Sequence, residues 1–208
     1  MTEDLSSIFG QIDIYLFDQL LRRRITPGMT IMEAGCGHGR NLVYFLVNGY
    51  EVSAIDADPA SIEATRRLAK RLAPQLDSSH FRNESVETGT FPDACADVVI
   101  SSAVLHFARD DGHFLAMLNG SWRLLKPGGL FFCRLASTIG MESRFKPLGN
   151  GRFLLPDGSE RFLITEQRLL QLTDTLGGVM IDPLKTTVVQ DSRCMTTWIL
   201  RRKAILPG

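Results

Sequence analysis

The 208-residue chain sets 23 Lys and Arg against 23 Asp and Glu, so no overall field draws it to nucleic acid or to a membrane surface. Its 44% hydrophobic and 22% charged residues are ordinary for a soluble globular protein, enough for one well-packed domain and short for two. No run nears the roughly 18 apolar residues of a membrane span, "MTEDLSSIFG" lacks a basic-then-apolar leader, and Cys36, Cys95, Cys133 and Cys194 form no CxxC pair. We therefore expect a reduced, cytoplasmic setting without zinc, disulfide framework, nucleic-acid partner or membrane partner. The basic runs Arg22–Arg24 and Arg201–Lys203 read as charged ends of surface elements.

In chain order, "DLSSIFGQIDIYLFDQLLRRR" spaces its apolar residues as one amphipathic helix, broken by Thr26-Pro27-Gly28. Alternating units follow. "MTIMEAG" reads as a buried strand, "GRNLVYFLVNGY" as a helix, "EVSAIDA" as a second strand and "DPASIEATRRLAKRLA" as a second helix of the repeat. Asp58 is its natural N-cap, with Pro59 in the first turn. "SHFRNES" and "ADVVISSA" are further strands, and "RDDGHFLAMLNGSWRLLK" is a helix stopped by Pro127-Gly128-Gly129. "LFFCRLAS" is a fifth strand. Strands alternating with helices predict a mostly parallel sheet with helices on both faces. Residues 137–164, with scattered glycines and a Pro-Asp-Gly turn, read as an insert or small hairpin near the site mouth. A helix over 165–178 and two long strands joined near Gln190-Asp191-Ser192 complete the chain as an antiparallel edge hairpin.

The stretch "MEAGCGHGRN" places Gly35, Gly37 and Gly39 on alternate positions just after the first strand. Ligands of open α/β sheets sit beyond the carboxyl ends of the strands. Glycines there let a ligand approach the main chain, and a helix beginning near Gly39 would add free N–H donors. Asp56 ends the second strand 21 positions after Gly35, where a carboxylate can accept both hydroxyls of a ribose. Asp58 already serves as the cap, which leaves Asp56 free for a ligand. No Lys-Ser/Thr pair follows the glycines, which excludes a P-loop. Arg40 stands where the dinucleotide fingerprint needs a third small residue, which disfavours a nicotinamide-dependent oxidoreductase.

These residues resemble motif I of the class I S-adenosylmethionine (SAM)-dependent methyltransferases, E/D-x-G-x-G-x-G. "VSAIDADPASIE" is similar to the family's ribose strand, "FPDACADVVISSAVLHF" to its fourth-strand stretch and "LLKPGGLFF" to its turn into the fifth strand. "GCGHGRNLVYFLVNGYEVSAID" most resembles the tellurite-resistance (TehB-type) subgroup. The resemblance implies one domain over 1–208, with a doubly wound, seven-stranded, mostly parallel α/β sheet and an antiparallel C-terminal strand. It implies SAM as cofactor and S-adenosylhomocysteine (SAH) as product. Glu33, Gly35, Cys36, Gly37 and Gly39 would shape the methionine pocket, with Arg40 and Asn41 at its edge. Asp56 would hold the ribose, with Ala57 beside the adenine. Glu84, Ser85 and Val86 would line the adenine edge, and Ser101 and Ser102 would face the methionine amino group.

No N/D-P-P-Y/F sequence follows the fourth strand, so a likeness to the enzymes that methylate amino groups of DNA or protein glutamine is lacking. The expected acceptor is a small molecule, including a soft atom such as a thiol or chalcogen, which needs little base catalysis. His106 is the candidate base; the other reading is a histidine that packs against the cofactor or caps backbone. Arg40 opposes the helix dipole and requires an anionic partner, either Glu33, the cofactor carboxylate or the substrate. The insert carries Arg144, Lys146, Arg152 and Arg161 against Glu142, Asp157 and Glu160, no anion trap by composition. With residues 1–27 it reads either as a lid that excludes water or as an ordinary surface excursion. A SAM-binding regulatory module without turnover and a use of SAM other than methyl transfer are the remaining alternatives.

Overall fold

The computed structural model describes residues 4–204. Its N-terminal segment is not one helix but two, α1 (Leu5–Phe9) and α2 (Ile14–Leu21). Gly10, at φ +58°, ends the first, and the Asp13 carboxylate caps the second by accepting from the Tyr15 N–H. Then come β1 (Thr30–Ala34), α3 (Val43–Val47), β2 (Glu51–Asp56), α4 (Pro59–Leu72), β3 (Phe81–Asn83), β4 (Ala96–Ser102), α5 (Asp111–Arg123) and β5 (Leu125–Ala136). The expected capping of α4 is present: Asp58 accepts from the N–H groups of Ala60 and Ser61. β5 starts before the Pro-Gly-Gly turn rather than after it, because Leu124 and Leu125 are buried and Leu125 already pairs with Ala96.

The rest comprises β6 (Lys146–Gly149), β7 (Arg152–Leu154), β8 (Glu160–Phe162), α6 (Glu166–Thr175), β9 (Gly178–Met180), β10 (Lys185–Val189) and β11 (Arg193–Arg202). The main sheet runs β10-β11-β5-β4-β1-β2-β3, with β11 antiparallel to its neighbours. This is the predicted doubly wound α/β sheet with its antiparallel C-terminal strand. A short eighth strand, β9, also pairs with β11. β9 and β10 divide what the sequence reads as one long strand, since Pro183 has no N–H to donate and the chain bends at Asp182-Pro183.

Successive residues of a strand point to opposite faces, and this sorts the core into two layers. Met32, Val99, Phe131 and Trp198 pack with Phe114, Leu118 and Leu169 of α5 and α6. Ile31, Val98, Phe132 and Ile199 pack on the other face with Leu16, Phe45 and Ile62 of α2, α3 and α4. Each such fully buried side chain contributes about 1.5–3 kcal/mol. The insert is a three-stranded antiparallel meander, β6-β7-β8, with the Pro-Asp-Gly turn between β7 and β8. Met141, Phe145, Leu155 and Leu163 pack with Ala136 and Cys194 in a small core of their own, which fixes the meander beside the ends of β5 and β11.

The basic run after α2 serves an internal purpose. Arg24 Nη1 lies 2.7 Å from Asp182 Oδ2 and Arg22 Nη1 3.7 Å from Oδ1, so both cations anchor the N-terminal segment to the bend between β9 and β10. Among the described residues, no helix is long and apolar enough to cross a membrane.

Candidate active site

The carboxyl ends of β1, β2 and β4 open onto a cleft of about 550 Å³. β1 is turned there by its neighbour, since Ile55 O of β2 accepts from the N–H groups of both Gly35 and Cys36, at 2.8 and 3.0 Å. The three glycines of the loop have different reasons to lack a side chain. A Cβ on Gly35 would lie 2.5 Å from Val104, and one on Gly39 would lie 2.9 Å from Leu68 of α4. At Gly37, φ is +54° and a Cβ would meet nothing within 4 Å, because it would project into the cleft. Gly37 is thus the glycine that keeps the cleft open, whereas Gly39 lies outside it and lets the loop seat against α4.

Asp56 is not free, contrary to the expectation from the capping pattern. Its Oδ2 accepts from the Gly37 N–H at 2.7 Å and its Oδ1 from the Asp58 N–H at 2.9 Å. Each oxygen retains a lone pair, and the carboxylate lines the cleft beside Ala57. Ser85 and Val86 also line it, but Glu84 does not: its carboxylate turns back to accept from the N–H and hydroxyl of Thr90, both at 2.7 Å. Ser102 lines the cleft while Ser101 is buried opposite Cys133 of β5. Cys36 also lines the cleft, with its thiol buried beside Thr65 and its pKa pushed up by that burial, so it does not serve as a nucleophile.

Glu33 is 1% exposed at the floor. Its Oε1 accepts from Asn41 Nδ2 at 2.6 Å, while its Oε2 is buried without a partner among the described residues. Burial pushes its pKa up to about 8, against the opposing influence of Asn41 and Arg40. Arg40 finds its anionic partner elsewhere than expected: it donates to Ser102 Oγ at 3.1 Å and stands 3.9 Å from Asp13 Oδ2 of the N-terminal segment.

Sequence reasoning missed Gln11, His38, Glu87, Ala103, Val104, Phe107, His113 and Met117, all of which line the cleft. His113 and Met117 carry a signal, one helical turn apart on α5. His113 Nδ1 accepts from the Arg109 N–H, leaving its Nε2 3.2 Å from Glu87 Oε1. Gln11 arrives from the N-terminal segment, and nothing in its local sequence marks it.

His106 lies outside this cleft. It lines a second cavity of about 280 Å³ on the far side of Ala103, which borders both. Its Nδ1 accepts from the Ala136 N–H at 3.2 Å, and burial lowers its pKa to about 4. A neutral imidazole with Nδ1 engaged carries its proton on Nε2. It presents a donor, not a base.

Comparison with known proteins agrees with this geometry. Residues 32–133 match the family described as "Methyltransferase domain". The chain is 32% identical over 117 residues to a ubiquinone biosynthesis O-methyltransferase of Methylocella silvestris, covering 54% of this chain but only 43% of that protein. Among solved structures, a SAM-dependent methyltransferase of Methanosarcina mazei superposes with a TM-score of 0.72 at 19% identity, covering 89% of this chain and 98% of that one. The 1,6-didemethyltoxoflavin-N1-methyltransferase of Burkholderia thailandensis, solved with S-adenosylhomocysteine, gives 0.69 at 18% identity, covering 93% and 80%. The family match covers residues 32–133, and the solved structures share the fold of this chain. The cleft has the chemistry and room to suit S-adenosylmethionine: an unpartnered buried carboxylate oxygen on Glu33, remaining lone pairs on Asp56 and open space over Gly37.

Proposed function

We propose that this protein, as one domain with residues 4–24 and the meander flanking its site, transfers a methyl group from S-adenosylmethionine to a small-molecule acceptor. The observation that carries the reading is the floor of the cleft, where Glu33 Oε2 has no partner while Asp56 and Gly37 face the same space. Asp56 would hold the ribose hydroxyls, Ala57, Ser85 and Val86 the adenine edge, and Glu33 the amino group, with Arg40 and Ser102 beside the carboxylate. Bound there, the cofactor would supply an electrophilic methyl carbon on a sulfonium, with neutral SAH as the leaving group. The residues of the cleft orient and exclude water rather than act on bonds.

His106 does not supply a base, and His113 is occupied by Arg109 and Glu87. That favours an acceptor atom that is already deprotonated or soft, a thiol or chalcogen included, in keeping with the likeness of residues 35–56 to the tellurite-resistance type. The test is calorimetric titration with SAM, SAH and NAD in parallel, followed by a screen for acceptor-dependent SAH release. Binding of SAM and SAH with none for NAD is expected. NAD binding alone would refute the reading, and SAM binding without turnover on any acceptor would leave a regulatory module.

A further inference from the structure

The second cavity gathers cations from three parts of the chain. Arg134 comes from β5, Arg161 from β8 of the meander and Arg193 from β11, and they line it with His106, Ala103 and Leu155. The insert's own composition hid this, because its acids are used elsewhere: Glu160 pairs with Arg152 at 3.1 Å and Glu142 accepts from the Gly140 N–H. Asp157 is the acid that lines the cavity; it accepts from Ser159 and stands 3.8 Å from Arg193. Arg134 is matched by Asp13 at 2.7 Å. Arg161 is paired with no carboxylate among the described residues; it donates to a main-chain carbonyl and lies over the Phe107 ring, 4.9 Å from its centroid. Three guanidinium groups against Asp157 and Asp13 leave one positive charge uncompensated, and the buried Nε of Arg134 is unpartnered.

The cavity also adjoins the cofactor cleft. Ala103 borders both, held at φ +62° by its N–H to Arg134 O at 2.7 Å. Phe107 lines the cleft and Arg161 the cavity, so their stack forms a shared wall. We propose that this cavity seats the methyl acceptor and recognises it by a carboxylate, with Arg161 and Arg193 as the charged anchors and the His106 Nε2–H as a neutral donor. The nucleophilic atom then faces Ala103 and the methyl-bearing end of the cleft. This assignment rests on reading the first cleft as the cofactor site. A guanidinium pair suits a planar carboxylate because its N–H groups form a fork of matching geometry.

The experiment is a ligand-observed NMR titration of the SAH-loaded protein with benzoate and phenylacetate, each beside its carboxamide. Each acid is expected to bind about tenfold or more tightly than its amide, and Arg161→Gln with Arg193→Gln to abolish that preference, as charge-assisted hydrogen bonds require. SAH affinity should stay within about twofold in the variant, since neither arginine lines the cofactor cleft. Equal binding of acid and amide, an unchanged preference in the double variant, or no acid binding up to solubility would each overturn the proposal while leaving SAH binding intact. Failure to bind SAH would instead strike the cofactor reading, and the acid-against-amide comparison repeated without SAH would still decide whether the cavity recognises anions.

Discussion

The proposed place of Glu33 under the cofactor's amino group predicts that cofactor binding depends on pH, in a direction that can be worked out beforehand. Its folded pKa is raised to about 8 by burial, so near neutrality the ligand-free protein holds this carboxyl mostly protonated. An ammonium beside Oε2 favours the ionised form, so binding releases a proton. At about pH 6 the ionised fraction is about one in a hundred, and at pH 7 about one in ten, so SAH should bind about tenfold more tightly at the higher pH. Calorimetry in buffers of different ionisation enthalpy should then show release of about one proton near pH 6.5. Glu33→Gln keeps an acceptor for Asn41 and has nothing to ionise; its SAH affinity should be flat over this range and its proton release near zero. A flat profile in the wild-type protein, or equal proton release by the variant, would refute the assignment of Glu33 to the amino group.

Asp56→Asn keeps one acceptor oxygen, so either the Gly37 or the Asp58 N–H loses its partner, and it removes the charge; it should weaken SAH binding by about 1.5–3 kcal/mol in the same calorimetric assay. Unchanged affinity would remove the ribose assignment. Gly37→Val places a branched side chain at φ +54° in the open cleft; it should abolish SAH binding at a cost in folding of about 1–2 kcal/mol by thermal melting, and full affinity would contradict the close approach. His106, with its pKa lowered to about 4 by burial, takes up a proton on unfolding between about pH 4 and 6.5, so stability falls as pH falls through that window. His106→Gln should remove about 2 kcal/mol of the loss between pH 7 and pH 5 in denaturant titrations, and an identical pH dependence would show that the imidazole is not buried neutral.

The residues most legible from sequence are those whose roles are local. The capping of α4 by Asp58, the alternation of β1 to β5 and the placement of Asp56 at a strand end are each set by a few neighbouring positions. The glycine run was legible as a special loop but not in its reasons, because Val104 and Leu68, which exclude side chains at Gly35 and Gly39, lie far away in sequence. Glu84 departs from its expected place for a nearer reason: Thr90, six residues on, captures its carboxylate. The break at Gly10 was hidden inside a helical spacing that continues across it. Gln11, Phe107 and the arginine cluster come together only through the topology, and no local pattern announces them.

What unites the two cavities is Asp13, a residue that local sequence shows only as a helix start. It is 2% exposed, and each of its polar groups has a separate partner. Oδ1 caps α2, Oδ2 pairs with Arg134 at the edge of the second cavity, and the main-chain N–H donates to Asn41 Oδ1 at 3.0 Å. Asn41 in turn holds Glu33 at the floor of the cofactor cleft. Removing one partner of so buried an ion pair leaves the other charge uncompensated, which costs far more than the pair contributes. The N-terminal segment is therefore fixed through the two groups that the proposed reaction would use, the carboxyl beneath the cofactor's amino group and the guanidinium beside the acceptor. Asn41, Asp13 and Arg134 form a continuous chain of contacts of 2.6–3.0 Å from Glu33 to the second cavity.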